Sequence, residues 1–274
     1  MRRLLLCLLI ALVALAAGRT ARAETIAYPD SMAATGDSIT RAFNSSAVPW
    51  IEAPWNSWST GGNPAVQSHY SRILAANPRI FLHNWNDARS GAEMAELPQQ
   101  VGLVNLQHVD YVTVLMGAND ACASSEAAMT PVSEFRAEYE TALAELSAGS
   151  PQAHVYVVSI PDVYRLWELF HEKAEARLRW RLTGFCKSML ARPASTAPED
   201  MARRGRVRER IEAYNQVLEE GCAAYAQCLF DGNAVFDYPF ARKDVSRHDF
   251  FHPSREGQRV LAEVTWQAGY DFVP

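Results

Sequence analysis

Five short stretches of this chain have the apolar density of strands, and between them apolar positions recur at helical spacing. Residues 31–35 are small and run into Gly36. Residues 79–85 alternate, with Ile80, Leu82 and Asn84 against Phe81, His83 and Trp85. Residues 111–116 (Tyr111-Val112-Thr113-Val114-Leu115-Met116) are apolar enough for a strand buried on both faces, and residues 154–160 and 228–231 follow the same pattern. A helix opened by Asn63-Pro64 carries Val66, Tyr70, Ile73 and Leu74 and is closed by Asn77-Pro78. Others carry Met94, Leu97, Val101 and Val104, then Phe135, Tyr139, Leu143 and Leu146; a long one covers about 199–225. A last helix turns Val260, Leu261 and Val264 inward. Strands alternating with helices predict an α/β fold with a parallel sheet.

Two stretches follow neither period. Residues 45–62 hold Trp50, Trp55 and Trp58 among prolines and glycines. They read either as a loop pinned to the body by its indoles or as the wall of a binding cleft. Residues 162–200 are irregular, aromatic and basic, with Trp167, Phe170, Trp180 and Phe185. Their Arg and Lys side chains are either a solvated helix face or a contact for a headgroup or acidic substrate.

The beginning changes the compartment. Arg2 and Arg3, an apolar run over residues 4–17, and Ala21-Arg22-Ala23 have the layout of a secretory signal peptide cleaved after Ala23. The run is shorter than the roughly twenty apolar residues a membrane span needs. We therefore expect residues 1–23 to be removed and residues 24–274 to form a single domain, secreted or periplasmic, without a stable membrane anchor. Loss of Arg2, Arg3, Arg19 and Arg22 takes the formal charge from −5 to −9, which argues against a nucleic-acid partner. Without Cys7, the cysteines are Cys122, Cys186, Cys222 and Cys228. An even number in an exported chain reads as disulfides, although the number does not fix the pairing. Metal binding is the competing reading, but no C-x-x-C pair or histidine at ligand spacing accompanies them.

Candidate chemistry sits where strands end. Gly36-Asp37-Ser38 is a tight turn that would put the Ser38 hydroxyl at a helix start, among outward-pointing N–H groups. A nucleophilic serine needs a base and donors for the oxyanion that forms when it attacks a carbonyl. Gly91, in the turn after the second strand, offers a backbone N–H. Gly117-Ala118-Asn119-Asp120, at the exit of the third, offers the Asn119 carboxamide. Asp249-Phe250-Phe251-His252, just before the last helix, places a carboxylate three residues from an imidazole. Each piece alone is an ordinary turn or surface sequence; their order gives them meaning.

That ordered set resembles the GDSL, or SGNH, family of esterases and lipases, with Ile39 where the family name has leucine. The resemblance implies a three-layer α/β/α fold with a five-stranded parallel sheet. It also implies Ser38 as nucleophile, His252 as base and Asp249 as its orienting acid, with the Ser38 and Gly91 N–H groups and the Asn119 side chain as oxyanion hole. Trp58-Ser59-Thr60-Gly61-Gly62 and Cys122, two residues beyond Asp120, look most like the phospholipase B-like branch. The function implied is hydrolysis of a lipid or other small-molecule ester through an acyl-enzyme, without cofactor or metal. The alternatives are a carbohydrate O-acetyl esterase, a catalytically silent binding protein and, given Asp37, Asp120 and Asp249, a metal-dependent phosphoesterase. For the disulfides we expect Cys222–Cys228, six positions apart across a helix-to-strand turn, and hence Cys122–Cys186.

Overall fold

The computed structural model describes residues 25–274; the signal peptide expected over residues 1–23 lies outside the described residues. In chain order the elements are β1 (Thr25–Ala27), β2 (Met32–Gly36), α1 (His69–Ala76), β3 (Asn84–Asn86), α2 (Leu97–Gln107), β4 (Tyr111–Leu115), α3 (Ala118–Ala121) and α4 (Val132–Gly149). Then come β5 (His154–Val157), α5 (Tyr164–Phe170), α6 (Ala174–Thr183), α7 (Lys187–Leu190), α8 (Pro198–Cys222), β6 (Cys228–Phe230), α9 (Arg255–Ala268) and β7 (Asp271–Val273).

Five strands pair in parallel in the order β3-β2-β4-β5-β6. The chain thus builds outward from β2 in both directions. Loops leaving the carboxyl ends of β2 and β4 diverge to opposite faces, which opens a ligand crevice between them. Side-chain alternation along β4 sorts the layers. Val112 and Val114 pack against Val101, Phe135 and Val217, on α2, α4 and α8. Tyr111 and Leu115 pack on the other face against Ile73 and Leu261, on α1 and α9. The result is the expected α/β/α arrangement. A separate two-stranded parallel pair, β1 with β7, ties residue 25 to the carboxyl-terminal segment, and nothing in the sequence pattern announced it.

Three local expectations need correction. The helix read from Asn63-Pro64 starts at His69, where the Ser68 side chain accepts the Ser71 N–H; residues 64–66 form a turn ahead of it. A hydroxyl cap one turn before the apolar stripe outcompetes the earlier Asn-Pro. The strand read over residues 79–85 shrinks to β3, because Pro78 opens a 3-10 turn through Ile80 and Leu82 takes a left-handed φ of 63°. Residues 162–200 are not irregular: they hold α5, α6 and α7, short helices whose Trp167, Phe170 and Trp180 are buried. Their lengths are too short for the 3.6-residue period to stand out, and Gly184, at φ 69°, ends α6.

Candidate active site

At the end of β2, Gly36 has φ 142°, and a β-carbon there would lie 2.3 Å from the Leu115 carbonyl oxygen. Only glycine allows β2 and β4 to run this close as the chain turns. The Gln100 side chain, from α2, closes both backbone groups of Gly36: its Oε1 accepts the N–H at 2.7 Å and its Nε2 donates to the carbonyl at 2.9 Å. The segment after Ser38 is a run of turns, not the helix start the sequence suggested, because Ala42 and Asn44 adopt left-handed φ of 52° and 57°. Asp37 is fully buried; its Oδ1 accepts the Ile39 N–H at 2.8 Å, its Oδ2 has no partner, and burial raises its pKa to about 6.

A second cluster comes from the other end of the chain. Val245 and Pro253 form an antiparallel bridge, Ser246 N–H donates to the His252 carbonyl at 2.8 Å, and Phe250 sits at φ 56°. This small closed loop points Asp249 and His252 at each other. Asp249 Oδ1 accepts the backbone N–H groups of Phe251 and His252, at 2.9 and 3.1 Å, and Oδ2 faces His252 Nδ1 at 2.6 Å. The remaining imidazole nitrogen, Nε2, lies 2.9 Å from Ser38 Oγ. A carboxylate can only accept, so Nδ1 carries the proton and Nε2 presents its lone pair to the serine hydroxyl. Burial by itself raises the Asp249 pKa, but the hydrogen bonds from His252, Asn44 and Phe251 outweigh it and hold the carboxyl below the ordinary aspartate value. Phe43, Phe185 and Phe251 stand edge-on to the imidazole, with centroids 4.9, 5.5 and 5.0 Å away, and restrict its tilt.

Asn119 and Asp120 lie within the short α3 and face the loop that carries Gly91. Asn119 Nδ2 donates to the Ala92 carbonyl at 2.9 Å, and Asp120 Oδ2 accepts the Met94 N–H at 3.0 Å. One amide hydrogen of Asn119 is thereby engaged and the other is left for a ligand. Gly91 takes φ 85°, and a second anchor holds its loop: Ser90 Oγ donates to Glu52 Oε1 at 2.6 Å, while Glu52 Oε2 pairs with Arg41 at 2.7 Å. Cys122, at the end of α3, is bonded to Cys186 at the start of α7, and Cys222 is bonded to Cys228 between α8 and β6. The first disulfide joins the Asn119 segment to the helical region of residues 162–200.

Ser38, Asn119 and His252 line one cleft of about 720 Å³, its open mouth included. Its walls are predominantly apolar, with Ile39, Val163, Leu166, Leu169, Phe240 and Phe251 prominent. The tryptophan-rich loop does not form this wall. Trp58 is buried and its indole N–H donates to Thr40 Oγ1 at 3.4 Å, whereas Trp50 and Trp55 are exposed. The loop's contribution is polar and reaches the site through Glu52, joined by Asn44 just ahead of the loop. These two residues and Gln100 carry no local signal, since each acts on a partner distant in sequence. Among the described residues, no cluster of three or more His, Cys, Asp or Glu side chains is placed to hold a metal ion, and no helix is long and apolar enough to cross a membrane.

A doubly wound sheet, a serine aligned with a histidine–aspartate pair, and amide donors across an apolar cleft make up the architecture of an ester hydrolase. The model of the GDSL-like lipase/acylhydrolase family matches residues 34–260, and the chain belongs to that family. Solved structures share the fold at low identity. The lipase Lip_vut3 from a goat rumen metagenome is 14% identical, with 88% of this chain and 97% of that one covered and a TM-score of 0.55. An extracellular lipase from Streptomyces rimosus is 16% identical over 87% and 99%, with a TM-score of 0.51. A family 3 carbohydrate esterase from Clostridium thermocellum is 14% identical over 89% and 94%, with a TM-score of 0.52. The curated proteins gave no match.

Proposed function

We propose that this protein is an exported hydrolase of lipid esters that works through an acyl-enzyme on Ser38. The observation that carries the reading is the hydrogen-bond chain from Ser38 Oγ through His252 to Asp249, buried at the carboxyl end of the sheet. In the first half-reaction Ser38 Oγ attacks the ester carbonyl and His252 Nε2 takes its proton. The developing imidazolium is matched by the ionised Asp249 carboxylate, and the carbonyl electrons move onto an oxyanion facing Ser38 N–H, Gly91 N–H and Asn119 Nδ2. Collapse expels the alcohol, which receives the proton from His252. Water then repeats the sequence on the acyl-enzyme, with His252 as base, and frees the acid and Ser38.

The apolar walls of the cleft support an acyl chain of some length over an acetyl group, and Trp58-Ser59-Thr60-Gly61-Gly62 with Cys122 supports a place near the phospholipase B-like branch. The two disulfides and the Arg2-Arg3 leader pattern support export of one domain spanning residues 24–274. The test is a series of p-nitrophenyl esters of graded chain length against wild type and Ser38→Ala, with fluorophosphonate labelling in parallel. We expect turnover that rises beyond acetate, no turnover in the variant at unchanged thermal stability, and a single label at Ser38. Full activity in Ser38→Ala overturns the mechanism. Activity confined to acetyl esters replaces the substrate reading with a carbohydrate O-acetyl esterase, and no turnover in wild type makes the protein a binding module.

A further inference from the structure

Beside the apolar cleft lies a second groove, lined by Phe170, Lys173, Glu175, Arg242, Lys243, Val245, Arg247 and Phe250. It shares Val245 with the cleft. It also adjoins the cleft at Leu169, a cleft residue whose backbone carbonyl accepts a 3.0 Å hydrogen bond from Arg242 Nε. Four cations and one carboxylate line this groove, in a chain whose formal charge is −5.

The cations come from segments about seventy positions apart: Lys173 precedes α6, whereas Arg242, Lys243 and Arg247 belong to the loop that leads into Asp249. Neutralisation is incomplete. Lys173 Nζ lies 3.5 Å from Glu175, and Lys243 Nζ lies 3.5 Å from Glu256. Arg242 spends one nitrogen on the Leu169 carbonyl, and Arg247 has no hydrogen-bond or ion-pair partner among the described residues. Val245, Phe170 and Phe250 make the floor apolar, and Lys173 Nζ sits 5.4 Å from the Phe250 ring centroid. Guanidinium groups over such a floor bind phosphate by charge-assisted, often bidentate hydrogen bonds.

We infer that this groove is an anion subsite that takes the phosphate-bearing headgroup of an ester whose acyl chain lies in the apolar cleft. The inference rests on the reading of that cleft as an ester-hydrolysing site, and it narrows the substrate class to phosphate-bearing lipid esters. No residue of the groove takes part in the bond-making step, so its effect belongs in substrate affinity and headgroup selection.

The test compares lysophosphatidylglycerol with a monoacylglycerol of the same acyl chain, below their critical micelle concentrations, on wild type and on Lys243→Gln/Arg247→Gln. We expect kcat/KM for the phosphate ester to fall about tenfold in the double variant, through KM, while the neutral ester is unchanged. Equal loss on both esters, or loss on neither, overturns the assignment. The single variant Arg247→Glu, whose side chain leaves no internal partner behind, must give the same selectivity; if it does not, the double variant's effect is structural and the assignment falls. Equilibrium binding of an ether-linked, non-hydrolysable lysophosphatidylglycerol needs no turnover, so it separates this inference from the catalytic reading. Binding about tenfold weaker in the double variant supports the subsite even in a protein that fails to hydrolyse esters. Unchanged binding of the ether lipid together with weakened binding of inorganic phosphate makes the groove a free-phosphate site and overturns the headgroup assignment.

Discussion

The Asn44 carboxamide donates a 2.6 Å hydrogen bond to Asp249 Oδ2, the same oxygen that faces His252 Nδ1, across 205 positions of sequence. Asn44 is itself held, its Oδ1 accepting the Trp50 N–H at 2.5 Å and its carbonyl accepting from Ser246 Oγ at 2.7 Å. The turn after Ser38 and the loop of His252 are thus locked together through the Asp249 carboxylate.

Asn44→Gly should therefore lower kcat while the fold survives, because glycine tolerates the local φ of 57° and only the carboxamide is lost. A bond to a charged acceptor is worth about 1.5–3 kcal/mol, so a loss on the order of tenfold to a hundredfold is expected. Asp249→Asn should cost more, on the order of 10⁴ in kcat, through the wrong imidazole tautomer. Steady-state kinetics on a soluble ester check both; an Asn44 variant as slow as Asp249→Asn would show that Asn44 does more than support the carboxylate.

Asn119→Ala should depress kcat by on the order of a hundredfold or more with little change in KM, since a carboxamide bonds an oxyanion more strongly than a neutral carbonyl. The same change frees the Ala92 carbonyl, which Asn119 Nδ2 holds at 2.9 Å. A variant altered only in KM would reassign Asn119 to ground-state binding.

The Cys122–Cys186 bond spans 64 positions and Cys222–Cys228 spans 6. Chain entropy then predicts that replacing the first pair by serine costs about 4 kcal/mol of stability and the second about 2 kcal/mol. Urea unfolding of the two double variants measures this order. Loss of the first pair should also reduce kcat, because it unfastens α3, which carries Asn119, from α7.

His69 is buried among Trp58, Tyr111, Tyr156 and Trp266, bridging Tyr111 Oη and Thr265 Oγ1 at 2.9 Å each. Burial, reinforced by the nearby Arg72 charge, lowers its pKa from 6.5 to about 3. Between those values the unfolded chain binds a proton that the folded chain refuses. Stability is therefore intact above pH 6.5 and falls as pH drops toward 3, by about 2 kcal/mol at pH 5. His69→Gln, which cannot titrate, should lose less between pH 7 and pH 5 in urea titrations.

Asp120 gives the opposite slope. Burial raises its pKa from 3.8 to about 7, so the folded chain keeps a proton that the unfolded chain has released. Stability from this group is lost as pH rises from about 4 to about 7. Asp120→Asn keeps an acceptor for the Met94 N–H, and its melting temperature relative to wild type should be higher at pH 8 than at pH 5.

The parts legible in the sequence are those decided within a few residues. Residues 111–115 are apolar except for Thr113, and only a strand covered on both faces buries every one of them. Gly36, Gly91 and Gly117 mark the strand exits, where φ of 142°, 85° and 116° excludes most other residues. Asp249 and His252 lie close enough in sequence for one small loop to join them.

Tertiary structure decided whatever depends on distant partners. Asn44 finds Asp249, Glu52 finds Ser90, and Gln100 finds Gly36 only after the sheet has formed; before that each is one polar residue among many. Trp50 and Trp58 look alike in sequence, yet one is exposed and the other buried, because burial belongs to the packed neighbourhood and not to the indole. The same holds for the basic groove, where Lys173 and Arg247 meet only because α6 packs beside the loop that carries Asp249. Local sequence determined which backbone turns and strands are sterically and hydrophobically allowed. Folding alone determined which side chains meet, because charge and hydrogen bonding act through space over a few ångströms whatever the separation along the chain.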